Sequence, residues 1–307
     1  MQTSLFMRIS NMKKFILKIV VLFAIIVVID IAFGRVMNYV VNHIEVGGQG
    51  RDNYICNQSE DDILIFGSSR AVHHYNAQMI EDSLEMSCYN CGEDGNGIIL
   101  NYGRLMMIKE RKTPRIIICD INPPFDLFKN DNHKYLGWLK ARYDRNGISD
   151  IFYSIDRTEK YKMMSQMYRY NSKFLQNIFV YFTSVSYDGG IKGYRPVNEE
   201  FDPMKVVENN DQNVDYTFDP IKISYIEQFI DLTKEAKVYF VVSPVWYGMD
   251  TNTLKPIKDI CEKRNIPLID YSNSSKYVHN NLYFKDGMHL NAIGADEFSR
   301  DIINSIK

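Results

Sequence analysis

The chain has 307 residues, 45% of them apolar and 24% charged, with a formal net charge of −2. This composition excludes a disordered or collagen-like chain, and without a basic excess the chain does not read as a nucleic-acid binder. Five cysteines do not make a disulfide framework in a chain of this size.

The first 35 residues stand apart. Arg8, Lys13, Lys14 and Lys18 precede or enter an apolar run from Phe15 to Phe33, which only Lys18 and Asp30 interrupt, each near one end. At ~1.5 Å rise per residue this run spans about 28 Å, close to a hydrocarbon core of about 30 Å. Lys18 can snorkel to the inner interface, and the basic flank predicts a cytoplasmic N-terminus with the body exported. A cleaved signal peptide is the competing reading, with Ile19 to Ile29 as its apolar region and Ala32-Phe33-Gly34 as a small-x-small cleavage pattern. The apolar stretch continues past that minimal region, which favours a retained anchor. A buried core helix is disfavoured only because the segment has no polar face. Beyond residue 35 the chain carries 31 basic and 37 acidic residues. Such a body does not suggest binding to polyanionic lipid headgroups.

Residues 36–60 read as a juxtamembrane linker with a flexible break at Gly47-Gly48-Gln49-Gly50. Residues 61–307 then alternate between strand and helix. Short apolar runs predict strands at Asp62 to Phe66, Met86 to Asn90, Arg115 to Cys119, Lys237 to Val242 and Pro267 to Ile269. Helices are expected over Asn76 to Leu84, Gly97 to Arg111, Ile221 to Ala236, Thr253 to Arg264 and Asn291 to Ile306. Fully apolar strands alternating with helices argue for a parallel sheet covered on both faces. Sites in such folds lie at the carboxyl ends of the strands.

The stretch from about 125 to 218 breaks this rhythm and reads as an insertion beside the sheet's carboxyl edge. Ser154 to Gln176 looks helical, and Asp188-Gly189-Gly190 is a turn. Its tyrosines, among them Tyr161, Tyr168, Tyr170, Tyr181, Tyr187 and Tyr194, suit either sugar stacking or a satellite core. Cys119 reads as a buried thiol, and Cys88-Tyr89-Asn90-Cys91 as structural cysteines, because it ends a strand instead of opening a helix.

The residues that carry chemistry sit at the strand ends. The first strand runs into Gly67-Ser68-Ser69-Arg70, which can expose a hydroxyl at a helix N-terminus. Near the C-terminus, Asp286-Gly287-Met288-His289-Leu290-Asn291 precedes the last helix. A spacing of three lets one tight turn set the Asp286 carboxylate against the His289 imidazole. A serine needs such a base, and the base needs an orienting acceptor, so Ser69, His289 and Asp286 form a candidate triad. Candidate oxyanion donors are the N–H of Ser69, a glycine N–H in the Asn90-Cys91-Gly92-Glu93-Asp94-Gly95 loop and the side-chain amide of Asn122. Singly, each has a structural alternative: Ser68 and Ser69 as helix caps, Asn122 before a proline pair as a turn former. His73 and His74 could line the pocket rim. No metal set, phosphate loop or cofactor motif is read, and no cofactor is expected.

The order strand–Gly-x-Ser, strand–Gly, strand–Asn and C-terminal Asp-x-x-His-Leu-Asn-x-x-Gly resembles the SGNH/GDSL hydrolase superfamily over roughly residues 60–124 and 220–305. The resemblance implies a flavodoxin-like three-layer α/β/α sandwich. It places the nucleophile on Ser69, the glycine on Gly95, the asparagine on Asn122, and the acid and base on Asp286 and His289. Gly-Ser-Ser replaces the usual Gly-Asp-Ser, as in membrane-anchored members that acylate envelope polymers, such as the D-alanyl transfer protein of teichoic acids and the alginate acetylation proteins. Asp120-Ile121-Asn122-Pro123 replaces the usual Gly-x-Asn-Asp, so Asp120 is either structural or beside the site. The expected function is an exported, membrane-anchored serine esterase or O-acyltransferase acting on acylated envelope or extracellular glycan, with other envelope-biosynthesis proteins as further partners. The alternative is a non-catalytic glycan-binding or assembly component that keeps the fold.

Overall fold

The computed structural model describes residues 2–185, 190–205 and 216–307, with side chains from residue 11 on. The turn expected at Asp188-Gly189, and Tyr187, lie outside the described residues.

The elements run α1 (Gln2–Asn42), α2 (Gly47–Asn57), β1 (Ile63–Phe66), α3 (Ser69–His74), α4 (Ala77–Leu84), β2 (Cys88–Asn90), α5 (Ile98–Lys109), β3 (Ile116–Asp120) and α6 (Pro123–Asp126). The insertion supplies α7 (Ile148–Ile155), α8 (Glu159–Lys162), α9 (Gln166–Tyr170) and α10 (Phe174–Thr183). The chain then returns through α11 (Pro220–Leu232), β4 (Lys237–Val242), α12 (Lys255–Arg264), β5 (Leu268–Asp270) and α13 (Ala292–Ile306).

The five strands form one sheet in the order β2-β1-β3-β4-β5. Every pairing is parallel, with Ile63 opposite both Cys88 and Ile116, and Ile116 opposite Lys237. Alternate side chains feed two cores, as strand geometry requires. Leu64, Phe66, Ile117, Cys119, Phe240 and Val242 pack under α2, α5, α11 and α12. Ile63, Ile65, Ile118, Tyr239 and Val241 pack under α3, α4 and α13. Both faces are therefore covered, which is why the strands read as unbroken apolar runs. Fully buried side chains such as Phe66 and Phe240 each stabilise the fold by about 1.5–3 kcal/mol.

The N-terminal part departs from expectation beyond residue 35. Asn11–Asn42 is long and apolar enough to cross a membrane, and its side chains are exposed as far as Ile29, after which Asp30 and Phe33 are half-buried and Met37, Val40 and Val41 buried. The segment expected as a flexible linker is ordered helix. Two Asn53 Nδ2 hydrogen bonds, to Val41 O (2.7 Å) and Ile44 O (2.8 Å), fold α2 back onto the end of α1. Gly50 is a site of close approach, since a Cβ there would lie 2.2 Å from the Glu45 backbone carbon. Glycine here serves packing and not flexibility.

The insertion also differs. The helix expected over Ser154 to Gln176 is broken into the end of α7, α8, α9 and the start of α10, because Asp156 turns extended and accepts from Thr158 N and Oγ1, while the Ser165 hydroxyl caps α9. Part of the insertion packs on α1 and α5: Tyr170 joins Met37 and Val41 in a small core, and Ile151 and Phe152 join the core over α5. Of its tyrosines, Tyr170 and Tyr194 are buried and Tyr161 is exposed.

The five cysteines are free and buried. Burial pushes the Cys56 and Cys261 thiols up to about 12, so the cysteines are inert core residues.

A buried charge cluster joins α2, α5 and the loop after β2. Arg104 Nη2 lies 3.0 Å from Asp52 Oδ1 and 2.8 Å from Glu93 Oε2, and Arg51 Nη2 lies 2.7 Å from Glu93 Oε2. Replacing Arg104 by alanine removes the charge shared by two buried carboxylates and leaves Glu93 with Arg51 alone and Asp52 with Arg142 at 3.4 Å. The expected loss is about 3–5 kcal/mol, read as a lowered denaturation midpoint of the detergent-solubilised chain. A loss under ~1 kcal/mol would show the cluster to be hydrated in solution.

Candidate active site

At the end of β1 the two adjacent serines take different positions. Ser68 is the N-cap of α3: its hydroxyl accepts from Arg70 N (3.4 Å) and from Asn122 Nδ2 (2.9 Å), and it is fully buried. Ser69, the first helical residue, is half-buried, with its Oγ 2.9 Å from His289 Nε2. The hydroxyl therefore stands at a helix N-terminus, next to a base.

The base sits in a tight turn. Asp286 Oδ1 accepts from the backbone N–H groups of Met288 and His289, both at 2.8 Å. Its carboxylate lies 3.1 and 3.0 Å from His289 Nδ1. With Nδ1–H donating to the Asp286 carboxylate, Nε2 is the acceptor for the Ser69 hydroxyl; the hydrogen-bond network assigns this tautomer. Burial works to raise the Asp286 carboxyl, but the hydrogen bond and charge of His289 and the two backbone donors outweigh it and hold the group below its ordinary value. The rest of the motif has local reasons. Asn291 caps α13 by accepting from Gly294 N at 3.0 Å. A Cβ on Gly294 would lie 2.1 Å from Tyr283 O.

The candidate oxyanion residues lie in the loops after β2 and β3. Gly95 has a left-handed backbone (φ 66°) with open space beyond its Cα. In the same loop the Gly92 N–H is taken by Asn90 Oδ1 at 3.0 Å. Asn122 is buried, and one N–H of its amide donates to Ser68 Oγ. An amide carries two hydrogens, so one remains for a ligand. Asp126 ties the two loops together: it accepts from Asn122 N at 2.7 Å and from Ile98 N at 2.6 Å.

Several residues that position this site were not legible from motifs. Asp120 is structural: it is fully buried, accepts from Tyr75 Oη (2.7 Å) and Ser243 N (3.2 Å), and pairs with buried Arg70 at 3.4 Å. Arg70 also donates to Ile121 O, so the serine loop is bolted to the end of β3. Their sequence signal was a charged residue next to each motif. His74, expected at the rim, is instead fully buried, and its Nε2 accepts from Leu290 N at 3.0 Å. Burial, then the neighbouring His289 and Arg70, push its pKa well below the ordinary value, so it is a neutral acceptor fixing the chain beside His289. His73 does lie at the rim, with its ring centroid 5.8 Å from that of His289 and its Nδ1 2.7 Å from Arg195 O.

A cleft of about 460 Å³ opens beside Asn122 and Met288, walled by Pro123, Phe128, Tyr216, Tyr247 and Met249. Among the described residues, His133, Asp156 and Glu159 have the spacing of a metal cluster, but Lys162 Nζ sits 2.8 Å from Glu159 Oε1 and supplies the charge there.

No family model matches the chain, and no curated protein matches it. Solved structures do overlap with it. One is a “putative acylhydrolase” from Bacteroides fragilis NCTC 9343, 13% identical, covering 86% of this chain and 97% of its own, with a TM-score of 0.39. Another is 12% identical, covering 80% and 96%, with a TM-score of 0.38. At that identity and overlap neither lends this chain a function.

The Asp286–His289 turn has an acid limit. A carboxyl held below its unfolded value (about 3.9) stabilises the fold above that pH, and the contribution is lost as pH falls through the folded value. The melting-temperature advantage of the wild type over Asp286→Asn should therefore be full at neutral pH and shrink below about pH 4. A difference independent of pH between 7 and 2 would show that Asp286 is not ionised in this turn.

Proposed function

We propose that the chain is a membrane-anchored serine esterase or O-acyltransferase in which Ser69 is the nucleophile, His289 the base and Asp286 its orienting acid. The observation that carries this reading is the continuous path from Ser69 Oγ to His289 Nε2 (2.9 Å) and from His289 Nδ1 to the Asp286 carboxylate (3.0 Å). A core packing role does not require that order of donors on a half-exposed hydroxyl.

In the reaction Ser69 Oγ attacks the ester carbonyl carbon while its proton passes to His289 Nε2. The carbonyl π electrons move to oxygen, and the N–H groups of Ser69 and Gly95 and the remaining amide N–H of Asn122 receive the negative charge. Collapse breaks the C–O bond, and the imidazolium protonates the departing alcohol. Water or a sugar hydroxyl, deprotonated by His289, then attacks the acyl-serine and frees Ser69. Asp286 stabilises the imidazolium throughout.

The substrate class follows from the anchor and the cleft. The Asn11–Asn42 helix keeps the site at a membrane surface, where tethering favours a polymeric acylated glycan of the cell envelope over a free ester. The aromatic wall of the cleft, Phe128, Tyr216 and Tyr247, offers faces for sugar rings.

Labelling with a fluorophosphonate probe tests this. Label should disappear in Ser69→Ala, persist in Ser68→Ala, and form on the order of 10³-fold or more slowly in His289→Ala. Asn122→Ala should slow acyl turnover by about 10²–10³-fold. Folded wild-type protein that takes no label would instead support the glycan-binding, non-catalytic reading.

A further inference from the structure

The insertion contains a surface that the catalytic proposal leaves unused. Asp30 lies three residues inside the end of the apolar run at Phe33, about 4.5 Å deeper along the helix axis. Its carboxylate is fully engaged: Oδ1 accepts from Ser165 Oγ (2.9 Å) and Met167 N (2.8 Å), and Oδ2 from Gln166 N (2.8 Å). Gly34 meets Gln166 so closely that a Cβ would come within 2.4 Å of its side chain. The turn between α8 and α9 is thereby held at the depth of Asp30. At that turn Met164 is 73% exposed and Met167 51% exposed.

From there α10 climbs beside α1. Phe174 packs on Phe33 (ring centroids 6.0 Å apart) and Tyr181 on Tyr39 (6.2 Å). The stripe next to this contact, Leu175, Phe179 and Phe182, has helical spacing and is 70%, 56% and 77% exposed. These side chains continue the exposed apolar surface of α1.

We infer that the Met164–Met167 turn and the Leu175–Phe179–Phe182 stripe seat in the lipid leaflet on the body's side, as an interfacial element beside the membrane span. The occupant is lipid and not a protein, because the hydrogen bonds to Asp30 fix the turn's depth relative to the apolar run itself. An apolar face of this kind lies at the headgroup–acyl boundary. The inference rests on the anchor reading of α1. Seated in this way, and with Asn53 holding α2 to the end of α1, the body rides at a fixed height instead of swinging on a tether.

The test is tryptophan quenching in the full chain, reconstituted in phosphatidylcholine–phosphatidylglycerol vesicles with bromine on the upper acyl carbons, and on the deep acyl carbons for the variant in the middle of the span. The emission of the unsubstituted chain, from Trp138 and Trp246, is subtracted. Four variants are compared: Met164→Trp, Leu175→Trp, Phe23→Trp in the span, and Lys263→Trp on α12 as an exposed site flanking the edge strand β5. Met164→Trp and Leu175→Trp should lose about half of their added emission, as side chains at ~5–10 Å interfacial depth do, while Lys263→Trp keeps its own. If Phe23→Trp is quenched and the two insertion variants behave like Lys263→Trp, the seating is overturned and the anchor stands. If Phe23→Trp is not quenched, the anchor reading fails and the seating with it. All four positions are exposed, so the substitutions leave the core unchanged.

Discussion

A hydrogen bond between residues 220 positions apart, from Ser69 to His289, is the constraint that the rest of this structure serves. Neither partner could hold the other by local geometry. The serine is delivered by the end of β1, which lies between β2 and β3, and the histidine by the turn that opens α13. The two meet because α13 packs over α3 and α4 on one face of the sheet. His74, on α3, accepts the N–H of Leu290 and joins the two ends of the α/β body directly.

Around that meeting point, the polar groups are buried in pairs. Arg70 and Asp120 lock the serine loop to β3, and Asp126 locks the β3 loop to the loop after β2. Arg51, Arg104 and Glu93 fasten the β2 loop to α2 and α5. Buried ion pairs of this sort are weak contributors to net stability and costly to break. Their consequence here is geometric: three loops that would otherwise move independently share partners. Such preorganisation is what charge stabilisation at a reacting carbonyl requires.

The same network reaches the long N-terminal helix. Arg51 belongs to α2, and α2 is folded onto the end of α1 by Asn53. The glycine-rich stretch from Gly47 is therefore a structural joint between the long helix and the site. Asp30, the one acidic interruption of the apolar run, is accommodated in the same spirit: three donors from the start of α9 satisfy it, so the carboxylate is not left without partners among apolar side chains.

Most of the architecture was legible in the sequence, because strands buried on both faces must be apolar throughout and helices between them must be amphipathic. Lys237–Val242 was legible to the residue, and the other four strands within one or two. The nearness of Asp286 to His289 was also legible, since three residues in a tight turn leave little choice. What sequence spacing misread was α2, where glycines that permit close packing look like glycines that permit motion, and the insertion, where side-chain caps at Asp156 and Ser165 cut one helical pattern into pieces. The division of labour between Ser68 and Ser69, the burial of His74 and the structural use of Asp120 were decided only in three dimensions. Each depends on a partner far along the chain: Asn122 for Ser68, Leu290 for His74, Tyr75 and Arg70 for Asp120. Local pattern sets which residues can form an element; which polar atom meets which is settled by packing, because a hydrogen bond needs its two atoms within about 3 Å and only the folded chain brings them there.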